Sequence, residues 1–236
     1  MSGLTTFAIG DIHGCLHELE SLLATCESNR AGRDARFIFV GDYIDRGPSP
    51  KNVIELLIER QCCEPGRFVC LRGNHEQMLI DAADPERSDR DLINWWMNGG
   101  EQTLGSYQVN DPIAIPADHL AWIKTLPLKF VDAGRVYVHA GVRPGVPLPS
   151  QSSDDLLWIR EPFLSSDNDY GALVVHGHTP TDSGLPDLRA NRLNLDTGAY
   201  LGGPLTAAMF SDGETYPIMF LNSNGEAWTS ASDPRR

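Results

Sequence analysis

Five stretches of this chain set acids, imidazoles and glycines directly after short apolar runs. Gly10-Asp11-Ile12-His13-Gly14 follows the run 7–9, Gly41-Asp42-Tyr43-Ile44-Asp45-Arg46-Gly47 follows 37–40, and Arg72-Gly73-Asn74-His75-Glu76 follows 68–71. Later, His139-Ala140-Gly141 follows 136–138, and His176-Gly177-His178-Thr179 follows 173–175. The side chains offered are carboxylate, imidazole and one amide, with no thiolate in the three early clusters. That is a hard-to-borderline donor set, suited to manganese, iron or zinc with open coordination positions. One Asp–His pair would mean little, but five clusters at the ends of apolar runs imply one polar centre. The glycines permit tight turns and let backbone approach a ligand closely.

The elements that must position these clusters can be read from periodicity. In the first half, apolar runs at 7–9, 37–40 and 68–71 alternate with helical patterns at 16–26, 52–60 and 76–83. A β-α-β-α-β-α order predicts parallel strands joined by crossover helices. The crevice at the carboxyl ends of such strands is where ligands bind in open α/β sheets. Residues 84–125 read as helical and irregular, with helices at 92–97 and 119–125. After 128 the pattern changes to strands at 128–131, 136–138, 173–175, 193–195, 205–210 and 217–221, with little helix between them. The expected fold is α/β, with two stacked mixed sheets flanked by helices. The Pro- and Ser-rich stretches 110–116 and 143–153 read as surface loops. A single domain over 1–230 is expected, with 231–236 as a frayed tail.

Bulk composition narrows the function classes. With 19 Lys+Arg against 32 Asp+Glu the net charge is −13, which argues against nucleic-acid or anionic-membrane partners, since both need a basic face. The five cysteines are odd in number and form no C-x-x-C pair, so a reducing, cytoplasmic setting is expected. The N-terminus reads as a first strand, not a signal peptide. No Gly-x-x-x-x-Gly-Lys-Ser/Thr loop is present for nucleoside triphosphates, and no His-Glu-x-x-His for zinc proteolysis. No cysteine precedes an arginine at the spacing of a cysteine-dependent tyrosine phosphatase.

In their order, Gly-Asp-x-His-Gly, Gly-Asp-x-x-Asp-Arg-Gly and Gly-Asn-His-Glu resemble the signature of the metal-dependent phosphoprotein phosphatases of the calcineurin-like metallophosphoesterase superfamily. Within it the chain is most similar to compact bacterial and phage serine/threonine phosphatases, from Gly10 to Ala199. The resemblance implies an α/β/β/α sandwich and two divalent metal ions, manganese first, with iron or zinc as alternatives. It implies Asp11 and His13 on the first metal, Asp42 bridging, and Asn74, His139 and His178 on the second. One carboxylate between two cations can hold them ~3.5–4 Å apart. A bridging hydroxide would then attack phosphorus in line with the leaving oxygen. His75 would be the general acid, and Asp45 would fix its tautomer and help keep it protonated. Arg46, Arg72 and Arg160 would clamp the phosphate oxygens. The implied substrate is a phosphoserine or phosphothreonine protein or peptide, with phosphotyrosine as an extension and no regulatory subunit.

Blander readings stand beside these. Asp11 or Asp42 could simply cap the following helix, and Arg46 and Arg72 alone would be surface ion pairs. His17 and His119 read as surface residues without a role, and His176 as partly buried beside the ligand His178. Asp196 is either a hydrogen-bonding neighbour of a ligand or a turn former. Trp95 and Trp96 read as core, although their segment could wall the cleft. Two other functions keep the same residues: a diadenosine tetraphosphatase, and a non-catalytic metal-binding scaffold.

Overall fold

The computed structural model describes residues 3–132 and 134–229; the tail read at 231–236 lies outside the described residues. The order is β1 (Thr5–Ile9), α1 (Leu16–Asn29), β2 (Ala35–Phe39), α2 (Pro50–Cys63), β3 (Phe68–Cys70) and α3 (Asn74–Ala82). A helical insertion follows: α4 (Asp89–Trp95), a kinked turn (Trp96–Gly100), α5 (Glu101–Tyr107) and α6 (Ala117–Thr125). The second half holds β4 (Lys129–Asp132), β5 (Arg135–Val138), α7 (Ser153–Trp158), β6 (Leu173–His176) and β7 (Asp187–Leu188). It closes with β8 (Arg192–Asn194), β9 (Thr206–Phe210), β10 (Met219–Asn222) and β11 (Ala227–Trp228).

The strands form two mixed sheets, ordered β11-β10-β9-β1-β2-β3 and β4-β5-β6-β8-β7. Period-two alternation sorts the side chains into three apolar layers. In β1, Phe7 and Ile9 face the helices with Leu19, Leu22 and Cys26 of α1, whereas Ala8 faces the second sheet. Tyr137, Val175 and Leu193 meet Ala8, Ile38 and Phe210 between the sheets. Val136 and Val138 turn outward onto Leu156 of α7, with Ile159 and Phe163 beyond it. α1 buries Leu19, Leu22, Leu23 and Cys26, the i, i+3, i+4, i+7 stripe of a core-facing helix. Pro50 opens α2 at the position where its missing N–H is harmless. Among the described residues no helix is long and apolar enough to cross a membrane.

This topology brings the five clusters together. β1, β2 and β3 are mutually parallel, as are β5, β6 and β8. Two parallel triplets, stacked face to face, thus end on one rim. The short strands β7 and β11 and the helices α5 and α7 were not expected as separate elements. β7 and β11 span two residues each, and α7 six, too short for a periodic signal.

Candidate metal centre and phosphate cleft

Asp42, 1% exposed, is the hub. Its Oδ2 lies 3.4 Å from His13 Nε2 and 3.9 Å from His75 Nε2, and its Oδ1 lies 3.4 Å from His139 Nε2. Two groups, His13–Asp42–His75 and Asp42–His139–His178, could each hold a metal ion, with Asp42 common to both. His13 and Asp42 adopt positive φ (44° and 54°), as do Asp45 (68°), Arg46 (65°) and His178 (68°). Five non-glycine residues in this sparsely populated region at one rim mark backbone held by its surroundings.

Hydrogen bonding fixes what these rings present. His13 Nδ1 donates to Ile44 O at 2.9 Å and His139 Nδ1 to Val40 O at 3.0 Å. Each neutral ring therefore turns an unprotonated Nε2 toward an oxygen of Asp42, acceptor against acceptor, with Arg46 Nη1 also in reach of the His13 nitrogen. Asn74 Oδ1 joins them, 2.7 Å from His139 Nε2 and 3.0 Å from His178 Nδ1. Asp11 Oδ2 accepts from His178 N at 2.9 Å, while its buried Oδ1 has no hydrogen-bond partner among the described residues. Burial, then Asp196 and Asp42, push the Asp11 carboxyl well up, and burial raises Asp42 too. Such an arrangement calls for cations between the donors, so Asp11, His13, Asp42, Asn74, His139 and His178 fit divalent metal ions. Burial likewise pushes His139 down to about 3, keeping the ring in its ligating form.

His75 and Asp45 form a separate pair at the edge of the cluster. His75 Nδ1 donates to Asp45 Oδ2 at 2.7 Å, and both residues are buried. Asp45 also receives Trp95 Nε1 (3.1 and 3.0 Å to its two oxygens) and Thr103 Oγ1 (2.6 Å). Burial pushes the Asp45 carboxyl up while Thr103 and Trp95 pull it down. For His75, burial is the larger effect and pushes the ring down to about 4, against the upward pull of Asp42. The expected protonated ring thus meets an opposing desolvation cost.

The three arginines do not share one place. Arg46 and Arg160 line an open cleft of about 510 Å³ with Asp42, Asn74, Trp158 and His178. Arg46 Nη1 lies 3.0 Å from His13 Nε2, and its guanidinium stacks over Tyr200 at 4.6 Å. Arg72 is not among the lining residues: its Nη1 donates to Gln77 Oε1 (3.0 Å) and its Nη2 to Lys124 O (2.6 Å). Arg143 lines the cleft instead, paired with Asp155.

Glu76 carries a role that its motif position alone did not reveal. Fully buried, it accepts from Asp42 N (2.9 Å), Gly73 N (2.8 Å), Tyr43 N (2.8 Å) and Ile44 N (3.4 Å). Four N–H donors around it form the environment of a carboxylate, although burial beside Asp42 pushes its carboxyl up to about 8. It ties the Asp42 loop to the start of α3. Asp196, 2% exposed, lies against Asp11 and accepts from Gly198 N at 3.1 Å. Trp95 is core, as expected, but its indole N–H is spent on Asp45; Trp96, also read as core, is exposed. His17 is exposed, whereas His119 is not the surface residue expected. It is 8% exposed and its Nδ1 pairs with Tyr107 Oη at 2.8 Å, because α5 and α6 both pack on α2.

Residues 4–208 match the calcineurin-like phosphoesterase family. The chain belongs to that family. It is 32% identical over 211 residues to "Serine/threonine-protein phosphatase 1" of Salmonella typhimurium, covering 86% of this chain and 90% of the relative. It is 29% identical over 237 residues to "Bis(5'-nucleosyl)-tetraphosphatase PrpE [asymmetrical]" of Anoxybacillus flavithermus, covering 89% and 92%. A cold-active protein tyrosine phosphatase structure superposes with a TM-score of 0.68 at 15% identity, over 96% of this chain and 79% of that one, a likeness of fold. The phosphoesterase is thus a phosphohydrolase with His and Asp groups that could bind divalent metals. Its relatives divide between two substrate classes.

Proposed function

We propose that this phosphoesterase hydrolyses phosphate monoesters of phosphoserine and phosphothreonine in proteins or peptides. The supporting observation is Asp42 standing between two imidazole groups, with the His75–Asp45 pair beside it and Arg46 and Arg160 in the adjoining cleft. Divalent ions held by Asp11, His13, Asp42, Asn74, His139 and His178 would supply Lewis acidity to the phosphoryl group and to the attacking water. Arg46 and Arg160 present guanidinium forks that match the non-bridging phosphate oxygens. His75 is the proton donor to the leaving oxygen: Asp45 accepts its Nδ1–H, so Nε2 is the atom that delivers the proton. The Salmonella relative supports the protein-phosphate reading across nearly the whole chain. The Anoxybacillus relative supports a second one, hydrolysis of dinucleoside tetraphosphates.

The test is turnover by the manganese-loaded protein of a phosphothreonine peptide, a phosphotyrosine peptide and diadenosine tetraphosphate, with Asp42→Asn and His75→Asn as controls. Peptide turnover that both substitutions abolish is the expected result. A preference for the dinucleotide of ~100-fold, about 2.7 kcal/mol in transition-state stabilisation, would move the protein to the nucleotide class.

A further inference from the structure

The helical insertion between α3 and β4 holds on to the Asp45-Arg46 dipeptide at four points. Thr103 Oγ1 donates to Asp45 Oδ1 at 2.6 Å and accepts Asp45 N–H at 3.0 Å. Trp95 Nε1 donates to the same carboxylate, and Gly99 O accepts Arg46 N–H at 3.2 Å. Asp45 and Arg46 both sit at positive φ, a conformation costing on the order of 1 kcal/mol or more per non-glycine residue. The insertion matches this backbone closely. A Cβ on Gly99 (φ 103°) would fall 2.8 Å from Arg46 N, and one on Gly100 would fall 2.6 Å from the Trp95 ring. The kink at Gly99 within Trp96–Gly100 sets Trp95 and Thr103 on either side of these contacts.

We infer that Trp95 and Thr103 are positioning residues for the leaving-group proton donor, acting through Asp45 on His75. Asp45 Oδ2 accepts the His75 Nδ1–H; Oδ1 is held by Thr103, and the indole N–H spans both oxygens. With both oxygens engaged, the carboxylate keeps one rotamer, and His75 Nε2 keeps one direction. Without Thr103 the carboxylate is free to turn, and the ring loses its fixed aim while the metal-ligand side chains stay in place. Neither residue lines the cleft. Their effect should therefore fall on proton delivery and not on phosphate binding.

This inference rests on His75 as the proton donor, and leaving-group dependence separates the two claims. The holoenzyme is assayed with phenyl phosphate, whose leaving group needs a proton, and with 2,4-dinitrophenyl phosphate, whose leaving group does not. Their ratio of kcat/KM is independent of the fraction of protein that is folded. For Thr103→Val the phenyl phosphate rate should fall ~30-fold or more, a part of the ~10²–10⁴-fold that a general acid contributes, with the dinitrophenyl rate within ~3-fold. Thr103→Ser, which keeps the hydroxyl, should restore the ratio to within ~3-fold, and Trp95→Phe should give a smaller fall of the same kind. If His75→Asn shifts the ratio and Thr103→Val does not, the positioning role is overturned. If Thr103→Val lowers both rates by one factor, its role is merely structural, which also overturns it. If His75→Asn itself leaves the ratio unchanged, the reading of His75 as acid fails instead.

Discussion

Replacing Glu76 by Gln tests whether one buried carboxylate joins the Asp42 loop to α3. Oε2 accepts from Asp42 N and Gly73 N, and Oε1 from Tyr43 N and Ile44 N. The amide keeps one oxygen but aims an NH2 group at two backbone donors, so two charge-assisted hydrogen bonds are lost. At ~1.5–3 kcal/mol each, the loss is about 3–6 kcal/mol. Relief of burying a charge beside Asp42 offsets part of it, leaving ~2–4 kcal/mol. For a chain of this size that lowers Tm by roughly 5–15 °C. Because the Asp42 amide must shift, its carboxylate moves away from His13 and His139, and metal affinity should fall ~10–100-fold, as for other residues that orient ligands. Calorimetry of the metal-free protein gives the first quantity, and titration with Mn²⁺ gives the second. A Tm within ~2 °C of wild type together with metal affinity within ~3-fold would refute the reasoning.

Other outcomes follow from the same geometry. Gly177→Ala puts a Cβ 1.9 Å from Asp11 Oδ1, so the carboxylate must turn away; Mn²⁺ affinity should drop ~10-fold or more, and unchanged binding would contradict the placement of Asp11. Arg160→Ala should weaken inhibition by inorganic phosphate ~10-fold, since a charge-assisted contact is worth ~1.5–3 kcal/mol. Arg72→Ala should leave that inhibition within ~3-fold and lower Tm slightly through its lost bonds to Gln77 and Lys124; equal effects on phosphate binding would sink the distinction. His176 is fully buried and burial pushes it down to about 3. The folded ring stays neutral where the unfolded one takes up a proton near 6.5, so the stability it contributes is complete above that pH and is lost as pH falls toward 3. At pH 5 the loss is ~2 kcal/mol. In the metal-free protein, His176→Phe should flatten the acid limb of the Tm-versus-pH curve by that amount, and superimposable curves would rule it out.

Much of the candidate site could be read from residue order because each acid–imidazole cluster directly follows a strand, and local chemistry marks such junctions. Asp11, His13, Asp42, Asn74, His139 and His178 all sit where an apolar run meets glycine, and parallel pairing carries every one to the same rim. The two-sheet architecture was legible for the same reason, since strand runs in the second half lacked the helical spacing of the first. Side-chain direction was not legible. Arg46 and Arg72 occupy comparable motif positions, yet Arg46 lines the cleft while Arg72 turns to Gln77 and Lys124, because α6 packs against α3 and offers a carbonyl there. Thr103 lies 58 residues from Asp45, and Trp95 lies 50. Periodicity reports which face of a helix is buried, not which distant carboxylate its one polar atom will meet. His119 shows the same limit: its spacing suits an exposed position, and only the packing of α5 and α6 on α2, which brings Tyr107 to it, buries it. Sequence determined which chemistry the chain could assemble; tertiary packing decided which side chains aim it.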